Sequence, residues 1–268
     1  MISSKKYGMD VDRFDYMMRD PLHAGQKDLV FNPAIYMDNF HIAQNQIVFN
    51  MKIGHKIFEF FYHRYRLFKN MYLNRKTIGF DYMIGDLLTL VEPEFKFSEA
   101  IRDPAKYLRL NNNIISDIEK IAEHRPDVKA LVTRFYKRDI YHFVNEFVYG
   151  KYSSKRHSTE ELLKFKELFL ECQREVMSPE ESIKLTSDMV ILNSSMFKYC
   201  EENQFDSILV QDFDGEIKSA STISNLLNIK KYYEYQVHCF VKKSQLCDFA
   251  SKTWNVFIRK YSHLLRIE

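Results

Sequence analysis

Two groups of side chains in this sequence are spaced for chemistry. Asp12, Tyr16 and Asp20 follow at intervals of four, which on a helix lines them along one face, with Arg13 and Arg19 alongside. Two carboxylates, a phenol and two guanidinium groups in one stripe could hold a cation and a phosphate together. The same spacing suits a solvated helix face tied by ion pairs between turns. Further along, Arg64, Phe68, Tyr72 and Arg75 fall at i, i+4, i+8 and i+11, flanked by Lys69 and Lys76. Arginines interleaved with rings suit a nucleotide, the guanidinium gripping phosphate in a fork while a ring packs on base or sugar. They suit single-stranded nucleic acid on the same grounds. They suit equally a set of aromatic core contacts whose charged ends reach out to water.

Other chemistries find little support. The nine histidines form no His-x-x-x-His pair and the dipeptide His-Asp is absent, which argues against a complete histidine-based metal site. The seven glycines are too scattered for a dinucleotide or P-loop fingerprint, and no Gly-x-Ser-x-Gly elbow supports a serine triad. Cys172, Cys200, Cys239 and Cys247 contain no Cys-x-x-Cys pair and sit among apolar residues, as reduced, buried thiols of an intracellular compartment do. A net charge of +3 is too balanced to imply a polyanionic partner by bulk charge. No apolar run reaches the ~18–20 residues of a membrane span, and the first residues lack the apolar core of a secretory signal. The expectation is a protein with no membrane association, in nucleus or cytoplasm.

The elements that must position these residues read as mainly α, followed by an α+β lobe. The 268 residues are 46% hydrophobic and 28% charged, enough for a sizeable core. With only 7 Gly and 6 Pro, helices joined by short loops are expected. Apolar periodicity predicts helices over residues 10–18, stopped by Pro21, over about 44–76, and over 81–91. Further helices are predicted at 105–122 and 127–136. Ser158 with Glu161 forms a capping box at the head of a helix reaching toward 177. Beyond Pro179 short strands are predicted at 189–192 and 236–242, with a hairpin of 207–213 and 216–220 turning at Asp214-Gly215, then a helix over 245–261. A helical domain, 1–150, and an α+β C-terminal lobe, 151–268, meet at a loop near 150–158.

The run from Gly8 to Gly25, containing Asp10-Val-Asp-Arg-Phe-Asp-Tyr-Met-Met-Arg-Asp20 and His23, resembles the D-V-D-[KR]-x-D-Y-x-x-R-D-x-x-H-x-G signature of the SAM-and-HD-domain deoxynucleoside triphosphate triphosphohydrolases. The resemblance resumes from Phe61-Tyr-His-Arg64 through Tyr72 to Asp81, and continues loosely through Leu110-Asn-Asn-Asn-Ile and Tyr136-Lys-Arg138-Asp. It covers most of the chain but only the second half of the family's pattern. It implies a truncated HD-type helical core and a small mixed lobe, with hydrolysis of a dNTP to deoxynucleoside and triphosphate as the family's reaction.

The resemblance also implies roles. Asp12 matches the last ligand of a divalent metal site (Mg, Mn, Fe or Zn) whose histidine and His-Asp ligands have no counterpart here, so the chain alone is expected to bind no catalytic metal and to be inactive, a pseudoenzyme. Arg13 stands for a phosphate-binding lysine, Tyr16 and Asp20 for sugar contacts, Arg64 for a phosphate arginine, and Tyr72 for the tyrosine beneath the deoxyribose. Phe68 and Leu73 replace a histidine and a glutamine. Lys52 and Arg138 match basic positions of a regulatory nucleotide site, whereas Ile35, Asn50, His142 and Phe240 fall where further basic residues are expected. Half a helical core leaves an apolar face uncovered, which predicts a partner, an altered packing or an incomplete product. The alternative is a non-catalytic protein that binds nucleotide or single-stranded nucleic acid and pairs with itself or a full-length relative.

Overall fold

The computed structural model describes residues 4, 6–111, 113–151, 157–177, 184–198, 204–224 and 233–265. Helix α1, Val11–His23, is capped by Asp10, whose side chain accepts from the Arg13 amide at 2.9 Å. The stop expected at Pro21 does not occur. Pro21 lies in the last turn, where its missing N–H forfeits a single bond, and its ring is buried alongside Met17.

The helix expected from about residue 44 is instead a hairpin followed by a later helix. Strands β1, Phe40–Ala43, and β2, Gln46–Asn50, pair antiparallel through a two-residue turn in which Gln44 and Asn45 have φ of 50° and 58°. Positive φ at both central residues matches the twist of the flanking strands. The apolar spacing of Ile47 and Val48 fits either period, and β-branched side chains pair well in a sheet.

Helix α2, Gly54–Leu67, runs into a π-turn, Phe68–Tyr72, closed by the Leu73 amide on the Phe68 carbonyl at 2.7 Å, and helix α3 comes next over Arg75–Leu90. Against α3 pack α4, Ile114–Ala122, and α5, Pro126–Tyr136, through Leu87, Val91, Ile118, Val128 and Val132. The helix expected over 105–122 is thus two pieces, a single turn at Pro104–Tyr107 and α4. Asn111 breaks them apart, its side-chain oxygen accepting from the Asn113 amide at 2.9 Å.

Strand pairing crosses position 150 in both directions. Strand β3, His142–Lys151, pairs with β7, Tyr233–Val241, which also pairs with β4, Val190–Lys198, in an antiparallel sheet of order β3-β7-β4. The short hairpin of β5, Leu209–Gln211, and β6, Ile217–Ser219, joins the first sheet, with β5 parallel to β2. Of the expected loop near 150–158, residues 152–156 lie outside the described residues, as does Cys200; Cys172, Cys239 and Cys247 are free thiols.

Helix α6, Thr159–Cys172, has the expected capping box, Ser158 Oγ accepting from the Glu161 amide at 3.1 Å and Glu161 from the Ser158 amide at 2.7 Å. It and α7, Cys247–Leu265, cover one face of the β3-β7-β4 sheet, packing Phe165, Phe169, Trp254 and Phe257 on Val237, Cys239 and Val241. The alternate residues of β7 point toward α2 and α3. Phe240 is among them, and a Cβ added to Gly79 of α3 would come 2.7 Å from the Tyr141 carbonyl and 3.5 Å from the Phe240 ring. Gly79→Ala is therefore expected to destabilise the fold by about 1–3 kcal/mol despite the better helix propensity of alanine, and chemical denaturation measures it.

Candidate functional site: a tyrosine–aspartate cluster beside a docked basic stripe

Tyr16, Asp20 and Tyr72 come together. Tyr72 donates its hydroxyl to Asp20 Oδ2 at 2.5 Å, and the Tyr16 ring meets the Tyr72 ring edge-on at 6.4 Å. Phe68 closes the other side, its ring at 4.9 Å from that of Tyr72. Burial, and then the Asp20 carboxylate, push the Tyr72 phenol far above its usual range, so it remains a protonated donor. The site thus offers a carboxylate with one oxygen engaged by Tyr72, two phenols and flat ring surface. Those groups suit a ligand that combines hydroxyl groups with a flat ring face.

The neighbouring residues are spent otherwise. Arg13 donates to the Gly8 carbonyl, closing the turn that enters α1. Arg19 pairs with Asp15 within the helix. Asp12 is exposed in the first turn. Among the described residues no three His, Cys, Asp or Glu side chains gather so as to hold a metal ion, and Asp12 has no companions to complete such a set. The described residues around Asp12 do not by themselves make up a catalytic metal site.

The basic stripe faces the second sheet. Arg64 donates to the Lys198 carbonyl at 2.5 Å and lies over the rings of Phe68 at 4.9 Å and Phe197 at 5.6 Å. Lys69 meets Glu234 of β7 at 2.6 Å, and Glu234 also accepts from Tyr65 at 3.0 Å and Gln236 at 2.8 Å. Arg75 lies over the Phe143 ring of β3 at 4.7 Å. Each strand of the sheet therefore receives one cation of the stripe. Tyr72, the last residue of the π-turn, bonds Asp20 of α1 instead, and the extended Asn74 breaks the run before Arg75 begins α3.

Lys52 is exposed, its amide bonded to the Asn50 side chain at 3.0 Å. Arg138, in the left-handed region at φ 56°, lines an open cleft of ≈ 580 Å³ with Lys76, Asp81 and His142. Lys52 is not among the residues of that cleft. Ile35 packs on the core around Phe60, and Phe240 is buried.

The sequence reading missed Glu234, Phe197 and Lys198, the groups that receive the stripe. A glutamate placed among the alternating apolar residues of β7 was the available signal. Burial tends to raise the Glu234 carboxyl, but hydrogen bonds from Lys69, Gln236 and Tyr65 outweigh it and hold the group below its usual range. A carboxyl depressed in the folded state stabilises fully above its unfolded value, near ~4.3, and loses that contribution as pH falls through the folded value. The thermal midpoint of the wild-type chain should therefore fall more steeply than that of Glu234→Gln below about pH 5, and the variant should lose roughly 1–3 kcal/mol at neutral pH.

No family model matches the chain. In sequence it is similar to the deoxynucleoside triphosphate triphosphohydrolase SAMHD1 homolog of Dictyostelium discoideum, with 26% identity over 149 residues that make up 55% of this chain and 29% of that protein. It is similar to the putative HD domain-containing protein L394 of Acanthamoeba polyphaga mimivirus, with 32% identity over 133 residues, 48% of this chain and 28% of that one. The bovine deoxynucleoside triphosphate triphosphohydrolase SAMHD1 is 24% identical over 165 residues, 54% of this chain and 27% of that protein. The chain spans under a third of the length of these curated relatives. In fold it is similar to a phosphohydrolase from Bacteroides thetaiotaomicron, with a TM-score of 0.61, 20% identity and coverage of 90% of this chain and 62% of that one. A hypothetical protein from Aquifex aeolicus has the same score and identity over 92% and 57%. The distant relatives are thus SAMHD1-type triphosphohydrolases and HD-domain proteins, and the helical core matches that of a phosphohydrolase.

Proposed function

We propose that this chain carries the deoxynucleotide-recognition part of a dNTPase-like phosphohydrolase and does not hydrolyse nucleotide by itself. The observation that carries the reading is the Tyr72–Asp20 hydrogen bond with the Tyr16 ring beside it. In this reading the second oxygen of Asp20 accepts the 3′-hydroxyl of a deoxyribose. The Tyr72 ring forms the floor of the sugar site, where a 2′-hydroxyl would press on it. Arg13 and Arg64 take phosphate only by exchanging their bonds to the Gly8 and Lys198 carbonyls. In this reading the metal ligands come from outside these residues. Residues 1–150 supply the recognition surface and 151–268 buttress it.

The reading in which the stripe binds single-stranded nucleic acid is weaker, because Arg64 and Lys69 are engaged by Lys198 and Glu234.

Calorimetry with dGTP and GTP, paired with an assay for released triphosphate in the presence of Mn²⁺, tests the proposal. Expected are dGTP bound more tightly than GTP and no turnover. Asp20→Ala should weaken dGTP by about ten- to a hundredfold through loss of a charged hydrogen bond. Robust triphosphate release by the purified chain would refute the recognition-only reading, and equal binding of GTP and dGTP would refute the sugar site.

A further inference from the structure

Away from this cluster, a cleft of ≈ 440 Å³ lies between α6 and β4. Its walls are apolar, with Leu162 and Leu163 from the helix and Val190, Ile191 and Leu192 from the strand, and Lys166 and Lys242 share it. Lys242 is committed, its Nζ bonded to the Asp86 carboxylate, which also accepts from the Tyr141 hydroxyl at 2.5 Å. Lys166 makes no hydrogen bond or ion pair with the described residues. Asp86 and Asp188 balance the two ammonium groups, so the cleft has no surplus positive charge to select an anion.

We propose that Lys166 is a nucleophilic amine and the cleft an acylation site, its reactant the thioester of a small apolar acid. The apolar walls receive the acyl chain. The uncharged amine adds to the thioester carbonyl, a C–N bond forms as the C–S bond breaks, and the amine proton leaves with the sulfur as a thiol. Lys166 becomes a neutral amide. The environment favours the uncharged amine: burial and then the Lys242 ammonium lower its pKa, opposed in part by Asp188 and Asp86, and Tyr82 is the remaining titratable group of the cleft. An amine desolvated beside a second cation is activated in this manner.

Competitive labelling of the full chain tests it. A limiting amount of a butyryl thioester is added across pH 6.5–10, ~neutral to alkaline, and acylated peptides are quantified by mass spectrometry. Lys164, exposed on the same helix, is the reference. Lys166 should react at least about fivefold faster at neutral pH, since each unit of lowered pKa raises the uncharged fraction roughly tenfold. Its rate should also level off at lower pH than that of Lys164, and butyryl should outpace the anionic succinyl thioester at Lys166. Equal or slower labelling of Lys166, or a pH profile matching that of Lys164, would overturn the activated amine. Succinyl outpacing butyryl would overturn the apolar acyl class.

Discussion

A carboxylate withdrawn from water needs partners, and Glu234 has three: the Lys69 ammonium, the Tyr65 hydroxyl and the Gln236 amide. The arrangement of the molecule depends on this contact. Strand β7 carries Val237, Cys239 and Val241 toward helices α6 and α7, and Glu234, Gln236, His238 and Phe240 toward α2 and α3. An apolar face and a charged face back to back fix which side each helix layer occupies. A register slip of one residue would bury the carboxylate among phenylalanines and expose the valines to the basic stripe. The contacts of Arg64 on Phe197 and Arg75 on Phe143 then extend the docking across the two neighbouring strands.

The π-turn adds a second contact beside this docking. Tyr72 of the π-turn meets Asp20 on α1, while α2 before it and α3 after it carry Arg64 and Arg75 to the sheet. Phe68 joins the two roles, stacked under Arg64 on one side and against Tyr72 on the other. Where a histidine would offer a proton, this ring offers a wall.

What could be read from sequence divides along physical lines. The capping box at Ser158 and the hairpin turn at Asp214-Gly215 were legible because local chemistry alone specifies them. The grouping of Tyr16, Asp20 and Tyr72 was reachable only through the resemblance, since Tyr72 lies on another element and its orientation depends on an irregular turn. Strands β1, β2 and β3 were not legible. Ile47 and Val48 satisfy a helical period, and only the pairing of Ile47 with Ile42 and of Val48 with His41 and Leu209 makes them strand. The basic stripe shows the same limit. Its composition fits a phosphate ligand and a glutamate equally well, and the choice is made by Glu234, more than 160 residues away.

The parallel pairing of Val48 and Phe49 with Leu209 and Val210 bears on how the chain acquires its shape. During synthesis β2 emerges first, and its outer edge has no mate until β5 is made, roughly 160 residues later. Parallel contacts so distant along the chain form late, because the loop must close before any bond is gained. The nascent chain therefore carries a bare strand edge until the residues of β5 are made, a template for mispairing with other chains. What this topology leaves open is an interval in synthesis when one apolar strand has its hydrogen bonds unclaimed.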